Sequence, residues 1–277
     1  DLHEIFPEQD QHFRSSAARR YWRALEAAGL ALADGIMACN EAVADYVKGI
    51  GVAKAPIVTV SNAVPFVPAG QRGPSLRDYY PIPEGARILL FVGSLLPTKN
   101  LEIVIDGFAR AGLDGWVLAI LGDGPLREAL LARVMAQGLG EQVFLGRHAP
   151  QKDLISLAAS ADLGLLPYLA YGMNYLISTP NKLFEYIQAR LPIASTRLPL
   201  IEQVLTTFGT GLFMDFSTVE STAAGLRDVV GRLGEITPEA LEEAARTFCW
   251  ERDERVLLEL VEMLTKVGDP EPDAPPA

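Results

Sequence analysis

The residues best suited to chemistry in this sequence follow an apolar run near the middle of the chain. In FVGSLLPTKN, Gly93 lets a ligand approach the backbone and Lys99 can place a point charge on a phosphate. The alternative is a tight turn followed by a solvated lysine. The run lacks the three-glycine dinucleotide fingerprint and the phosphate-loop pattern, so neither hydride transfer nor NTP hydrolysis has a motif here.

A second candidate site begins the segment STPNKLFEYIQ. We expect Thr179 to cap a helix and Pro180 to start it, so that free N–H groups of the first turn, with Lys182 nearby, attract an anion. Glu185, a turn and a half into the helix, can accept two hydrogen bonds from a diol such as a ribose. A phosphate site next to a carboxylate that can bind a diol is the arrangement expected of a nucleotide-binding site. The alternative is an amphipathic helix whose Glu185 faces water.

Two other loops that follow predicted strands point less clearly to chemistry. The run LGDGPLRE is explained by a turn and a helix start, and FLGRHAP places Gly146, Arg147 and His148 at a strand end. His148 is as well explained by a surface or capping role as by ligand contact. No Asp-x-Asp pair and no Gly-x-Ser-x-Gly elbow occurs, so the sequence indicates neither that type of metal clamp nor a hydrolase nucleophile.

Composition restricts the class of protein further. With 277 residues, 49% of them hydrophobic, the chain can form roughly two globular domains. A net charge of -11 argues against a wide nucleic-acid footprint. Cys39 and Cys249 form no metal or disulfide pattern, which favours a reducing cytoplasm. No apolar run is long enough to span a bilayer, and the acidic start DLHEIFPEQD does not resemble a signal peptide.

The spacing of apolar residues predicts which elements position these candidates. Before a boundary at about 64–87, rich in Pro and Gly, we expect a helix over 12–31, a strand over 35–39, a helix capped by Asn40 and a strand over 56–60. Beyond it, strands at 87–93, 116–122, 143–146, 163–167, 192–196 and 211–216 alternate with helices at 100–111, 125–137, 151–160, 180–190 and 199–206.

Strands that are apolar on both faces indicate a parallel sheet covered by helices, which is an α/β, doubly wound, Rossmann-like domain. Ligands bind such sheets outside the carboxyl ends of the strands, where the candidate loops lie. Helices at 217–233 and 238–265 come next, the second with a possible break near 248–250, and the tail GDPEPDAPPA is predicted to be disordered.

Five runs in register carry a resemblance to a known family: SNAVPF, FVGSLLPTKN, LGDGPLRE, VFLGRHAPQKDLISLAASADLGLLP and PNKLFEYIQARLPIAS, with Trp250 opening the last helix. Over roughly residues 1–265 the chain resembles family 4 glycosyltransferases of the GT-B fold. The resemblance implies two Rossmann-like domains across a cleft, the second holding a nucleotide-sugar donor. It also implies transfer with retention to a glycan or lipid-linked acceptor, without a metal or other cofactor, in surface polysaccharide or glycan biosynthesis.

The resemblance also implies domain limits. Residues 1–70 would be the C-terminal part of the acceptor-side domain, 71–249 the nucleotide-sugar-binding domain, 250–266 a crossover helix and 267–277 a disordered tail. The N-terminal domain would then be only partly present, with further residues ahead of Asp1.

Site residues are implied position by position. Lys99 is similar to the lysine on the donor diphosphate, Glu185 to the glutamate that holds the ribose, and His3 to a histidine at the reaction centre. The implied donor-binding set is Gly93, Ser94, Lys99, Gly146, Arg147, Ser178, Thr179, Pro180, Asn181, Lys182 and Glu185.

The sequence departs from the family pattern in two places. Ile177 stands where the family has a glutamate beside the donor sugar, and Ser94 stands where it has a phosphate-binding arginine. A degenerate nucleotide- or glycan-binding module and a sugar-nucleotide epimerase of the same fold therefore remain as alternatives, because a fold does not fix a reaction.

The first predicted helix suggests one further partner. It carries Arg14, Arg19, Arg20 and Arg23 beside aromatic residues in an otherwise acidic chain. A basic, aromatic helix can lie on an anionic membrane surface, here the inner leaflet. The alternative is a helix packed in its domain with solvated arginines.

Overall fold

The computed structural model describes residues 1–2, 5, 7, 15–70, 73–147, 150–169, 172–177 and 179–267. His3, Arg14, His148, Ser178 and the tail predicted to be disordered from 268 onward lie outside the described residues. The described residues belong to two compact units. The first draws on Asp1–Asn62, Gly172–Ser178 and Trp250–Ala277, and the second on Ala63–Tyr171 and Thr179–Cys249.

The helices and strands alternate along most of the chain. The helices are α1 (Ser16–Leu32), α2 (Glu41–Ile50), α3 (Leu76–Tyr79), α4 (Leu101–Ala111), α5 (Arg127–Ala136), α6 (Leu154–Ala159), α7 (Met173–Leu176), α8 (Asn181–Gln188), α9 (Pro199–Phe208), α10 (Val219–Arg232), α11 (Pro238–Thr247) and α12 (Trp250–Val267). The strands are β1 (Ile36–Ala38), β2 (Ile57–Thr59), β3 (Arg87–Val92), β4 (Trp116–Leu121), β5 (Val143–Gly146), β6 (Leu163–Leu166), β7 (Ile193–Ser195) and β8 (Gly211–Phe213). Single 3-10 turns at Pro97–Lys99, Gln151–Asp153 and Leu233–Glu235 complete the set.

The first unit contains a small parallel sheet. Strands β1 and β2 pair in parallel, and Leu2 adds a bridge to Ala38. Asn40 caps α2 as the sequence predicts, since its Oδ1 accepts a hydrogen bond of 3.0 Å from the Val43 amide. Helix α12 is tied to the same unit by Asp253, which accepts hydrogen bonds from the Ser61 amide and hydroxyl.

The second unit is built on a six-stranded parallel sheet in the order β5-β4-β3-β6-β7-β8. Successive side chains of β3 enter opposite cores: Leu89 and Phe91 pack into the core that includes residues of α4, α5 and α10, and Ile88 and Leu90 into the one with α6, α8 and α9. The predicted doubly wound sheet is confirmed. Because β4 lies on one side of β3 and β6 on the other, the topological switch point falls between β3 and β6.

Several element limits differ from the sequence predictions. Helix α8 begins at Asn181, with Pro180 as N-cap and no side-chain cap, so the predictions that Thr179 caps this helix and that Pro180 starts it are wrong. The physical reason is that Pro180 keeps an extended backbone, with ψ of 143°, which delays the first helical residue. Helices α3 and α7 were not predicted, whereas the break between α11 and α12 is confirmed.

Candidate functional site

Glycines lock the loops after β3 and β4 against each other at the carboxyl edge of the large sheet. A Cβ on Gly122 would lie 1.8 Å from the Gly93 carbonyl oxygen, and Gly124, at φ 152°, lies against Leu95. The Gly93 amide in turn donates a hydrogen bond of 3.0 Å to the Leu121 carbonyl. These glycines therefore allow two backbones to meet, which agrees with the structural explanation of LGDGPLRE.

The loop after β3 holds Lys99 in a defined place. Lys99 ends the 3-10 turn, and its amide donates to the Leu96 carbonyl at 3.0 Å. The next residue, Asn100, takes a left-handed backbone with φ of 47°, and its side-chain amide donates to the Phe216 carbonyl at 2.9 Å. Beside Lys99, the buried hydroxyl of Thr98 has no hydrogen-bond partner among the described residues.

Lys99 is a partly buried cation at the topological switch point. Its Nζ lies 3.6 Å from the ring centroid of Tyr168, which follows β6. Burial lowers the pKa of Lys99 to about 8. In the described part of the chain, no carboxylate forms an ion pair with it. The lysine is therefore not the solvated side chain of the alternative interpretation, and its charge is open to an anionic ligand.

Glu185 is held inside the second unit by two polar neighbours. Its side chain is only 4% exposed, its Oε2 lies 2.6 Å from Lys182 Nζ, and its Oε1 accepts a hydrogen bond of 3.2 Å from Gln151 Nε2. The alternative that Glu185 faces water is wrong. A carboxylate has about four lone-pair sites, so acceptor capacity for a diol remains. The charge of Lys182, expected to serve an anion at the helix start, is instead paired with Glu185.

The start of α8 has free backbone donors for an anion. Helix α8 follows the carboxyl end of β6, and no described side chain caps its first turn. The leading N–H groups, those of Asn181 and Lys182, lie at the positive end of the helix dipole. Thr179, just before this turn, is buried. The helix start therefore lies one residue later than the sequence suggested, and binding of a phosphate there stays a prediction.

The loop after β5 is organised by a residue that sequence reasoning missed. Arg127, in the first turn of α5, donates to the Gly122 carbonyl at 3.2 Å and to the Gly146 carbonyl at 3.0 Å. Gly146 is packed tightly, since a Cβ there would lie 1.7 Å from the Tyr80 hydroxyl. Arg147 is 79% exposed and lies 3.8 Å from Asp123 Oδ2. An arginine three residues after Gly124 was the available signal for Arg127.

Ile177 belongs to the first unit and not to the unit that contains the large sheet. Its side chain packs against the apolar cluster of Ala38, Cys39, Val43 and Ala44. Its carbonyl accepts a hydrogen bond of 2.8 Å from Asn40 Nδ2. The residue that replaces the expected glutamate thus has a packing role. Ser94 is exposed after β3.

Metal-ligand clusters and membrane-spanning helices are both absent from the described residues. No three His, Cys, Asp or Glu side chains within the described ranges are grouped as metal ligands would be. No described helix is both long enough and apolar enough to cross a membrane. The expectation of a reaction without a metal stays a prediction.

Comparison with solved structures identifies the fold. Sucrose-phosphate synthase from Thermosynechococcus elongatus matches with a TM-score of 0.70 and 16% identity, over 92% of this chain and 65% of its own. Anabaena HepE in complex with UDP and glucose gives 0.73 and 15%, over 95% and 70%. WaaG, a glycosyltransferase involved in lipopolysaccharide biosynthesis, gives 0.62 and 21%, over 90% and 69%. The chain thus spans 65% of the length of the synthase.

Sequence comparison identifies the family. No curated protein sequence matches the chain significantly. The sequence profile of the family described as "Glycosyl transferases group 1" matches residues 74–248, which is more than half of the chain and includes the sheet, Lys99 and α8. With its parallel α/β sheets and its likeness to GT-B glycosyltransferases, the protein belongs to the group 1 glycosyltransferase family.

Proposed function

We propose that the second unit binds a nucleoside-diphosphate sugar and that the protein transfers this sugar to a glycan or lipid-linked acceptor. The observation that carries the proposal is Lys99, a partly buried cation at the switch point of a parallel sheet without a carboxylate partner among the described residues. Family membership supports it, and the HepE structure, which contains UDP and glucose, is consistent with it.

The chemistry depends on the charges at the site. When the bond between sugar and diphosphate breaks, negative charge builds on the leaving diphosphate. Lys99 and the N–H groups at the start of α8 would stabilise that charge, and Glu185 would accept hydrogen bonds from the ribose. In this proposal transfer proceeds with retention and without a metal, and His3 contacts the donor sugar or the acceptor.

Calorimetric titration of this chain with UDP, GDP, ADP and CMP tests the donor site. Selective binding of one of these nucleotides, with hydrolysis or transfer from the matching sugar donor, is the expected result. Absence of binding by all four would contradict the proposal.

A binding module without turnover is the second candidate. The observation that favours it is Ile177, whose side chain packs in an apolar cluster and supplies no carboxylate. Nucleotide binding without any donor hydrolysis or transfer would support this candidate, and turnover would exclude it.

We also propose that the protein acts in the cytoplasm, in surface polysaccharide or glycan biosynthesis, at the inner face of the membrane. Tyr21, Leu25 and Leu32 share one face of α1 and are 64%, 48% and 83% exposed, and Arg20 and Arg23 are exposed on the same helix. The chain should therefore bind vesicles of anionic lipid more strongly than neutral ones. Equal binding by the variant with Leu25→Ser and Leu32→Ser would contradict this.

A further inference from the structure

The hydroxyl of Tyr186 lies against the backbone of a strand in the large sheet. Tyr186 belongs to α8 and is only 1% exposed. Its hydroxyl accepts a hydrogen bond of 2.9 Å from the Val92 amide and donates one of 3.3 Å to the Leu90 carbonyl. Burial raises the pKa of Tyr186 well above its ordinary value, so the phenol keeps the proton that it donates. A helix side chain is thus bonded to the end of β3.

The pairing of β3 with β6 stops where this hydroxyl lies. The described register of the two strands contains two residue pairs, the second of which joins Leu90 to Gly164. In a parallel ladder with that register, the Leu90 carbonyl and the Val92 amide would both bond to the backbone of Leu165. The Tyr186 hydroxyl takes both of those hydrogen bonds instead. It therefore ends the ladder between β3 and β6.

The division of the sheet is confined to this one pair of strands. Strand β3 stays paired with β4 as far as Val92, which lies opposite Leu121. Strand β6 stays paired with β7 as far as Leu166, which lies opposite Ser195. A gap between residues 91–92 and 165–166 therefore opens at the topological switch point, while the sheet on either side of it remains paired.

A glycine in β6 makes room for the tyrosine ring. A Cβ on Gly164 would lie 2.6 Å from Cδ2 of Tyr186, a distance that bonded neighbours aside no carbon pair tolerates. The ring can therefore pass beside β6 only because residue 164 has no side chain. Gly164 and Tyr186 together bring the hydroxyl into the gap.

The two sides of the gap lead to the residues around the unpaired cation. Lys99 lies in the loop that follows β3, and Tyr168 follows β6. The Lys99 Nζ lies 3.6 Å from the centroid of the Tyr168 ring. Because both segments leave the sheet at the divided ends, the separation of those ends sets how the cation and the ring meet.

We propose that Tyr186 is a positioning residue: by holding the ends of β3 and β6 apart, it keeps a place for a diphosphate between the loops that follow them. The inference rests on the proposed function for the diphosphate, but not for the placement of Lys99. Tyr186 touches neither substrate nor reacting atoms in this proposal.

Two substitutions remove the hydroxyl from the gap by different routes. Tyr186→Phe keeps the ring but leaves two buried backbone groups of β3 without a partner, so they are driven to pair with β6. Gly164→Ala keeps the hydroxyl and displaces the ring. Tyr46→Phe is the matched control, because it removes a hydroxyl that donates to Glu26 at 2.7 Å in the first unit and leaves the gap unchanged.

The proton resonances of the Lys99 ε-methylene group give a readout that needs no ligand. Because Lys99 lies over the Tyr168 ring, these protons should resonate upfield of those of an ordinary lysine. We expect this upfield shift to decrease in Tyr186→Phe and Gly164→Ala, since closure of the gap disturbs the alignment of cation and ring, and to persist in Tyr46→Phe. A wild-type shift in whichever of the first two variants folds would overturn the proposal, whatever the nucleotide affinity.

Calorimetry with UDP, GDP, ADP and CMP on the same variants then measures the consequence for the donor. Tyr186→Phe should bind the preferred nucleotide about fivefold more weakly, the effect of one ordinary hydrogen bond, and Tyr46→Phe should bind as the wild type does. A decreased Lys99 shift in Tyr186→Phe, together with no nucleotide binding by the wild type, would support the positioning role and contradict the proposed function. A decreased shift with wild-type affinity would overturn the role of Tyr186 in donor binding.

Discussion

Two lysines of the second unit, Lys99 and Lys182, lie in opposite electrostatic surroundings. Lys182 is 2.6 Å from the carboxylate of Glu185, so its charge is neutralised inside the protein. Lys99 lies over the Tyr168 ring, is partly buried, and has no carboxylate partner within the described residues. One lysine belongs to an internal ion pair, and the other has an aromatic neighbour but no carboxylate partner within the described residues.

The difference predicts which charge serves stability and which serves binding. Burial of an unpaired cation opposes folding, as the lowered pKa of Lys99 shows. A buried charge that opposes folding is a candidate functional group, and the simplest function for it is the binding of a negatively charged ligand. In the pair of Lys182 and Glu185, in contrast, each charge is neutralised by the other. Substitutions at the two positions should therefore have opposite effects on stability and on binding.

The largest expected effect on stability is that of Lys182→Ala. Removal of this lysine leaves the carboxylate of Glu185, only 4% exposed, without its charged partner, so we expect a loss of about 3 kcal/mol in the free energy of unfolding. Lys99→Ala should leave that free energy unchanged or raise it. Urea denaturation of both variants measures the contrast. An equal loss in both would show that Lys99, too, is a structural charge.

The next effect concerns the ring that lies under Lys99. Tyr168→Leu removes the aromatic face 3.6 Å from Nζ, and we expect nucleotide affinity to fall about fivefold, the value of a partly desolvated cation–π contact. Tyr168→Phe keeps the face and should bind as the wild type does. Calorimetry distinguishes the two, and an equal loss in Tyr168→Phe would assign the effect to the hydroxyl instead of the ring.

The last prediction is a pH dependence to which Lys99 contributes. Its pKa in the folded protein is about 8, below the ordinary value of 10.5, so above pH 8 the folded protein binds fewer protons than the unfolded chain. Stability should therefore rise between pH 8 and 10.5, and nucleotide affinity should fall over the same range as the cation is lost. Lys99→Met should remove both changes while Lys182→Met keeps them. Identical pH profiles in wild type and Lys99→Met would contradict the assignment.

The sequence predicted those structural features that depend on a short stretch of neighbouring residues. Apolar runs predicted the sheet, Asn40 in front of an amphipathic run predicted the α2 cap, and a lysine after a strand predicted an edge charge. The rest depends on contacts between distant segments. Gln151 donates a hydrogen bond to Glu185, which lies 34 residues away, and no pattern in either segment predicts this contact.

The prediction of the start of α8 was wrong for a different reason. Thr-Pro is a common beginning of a helix, and only the extended backbone at Pro180 shows that the helix starts one residue later. Tyr168 and Arg127 were missed because each acts on a neighbour in space: the first on Lys99 and the second on the ends of two strands.

The most direct test of the central claim is calorimetric titration of wild type, Lys99→Ala and Lys182→Ala with whichever of UDP, GDP, ADP or CMP the wild type prefers. We predict that Lys99→Ala loses roughly 10- to 100-fold in affinity, the value of a charge-assisted hydrogen bond to a phosphate, and that Lys182→Ala loses far less. Wild-type affinity in Lys99→Ala, or a loss confined to Lys182→Ala, would contradict the account.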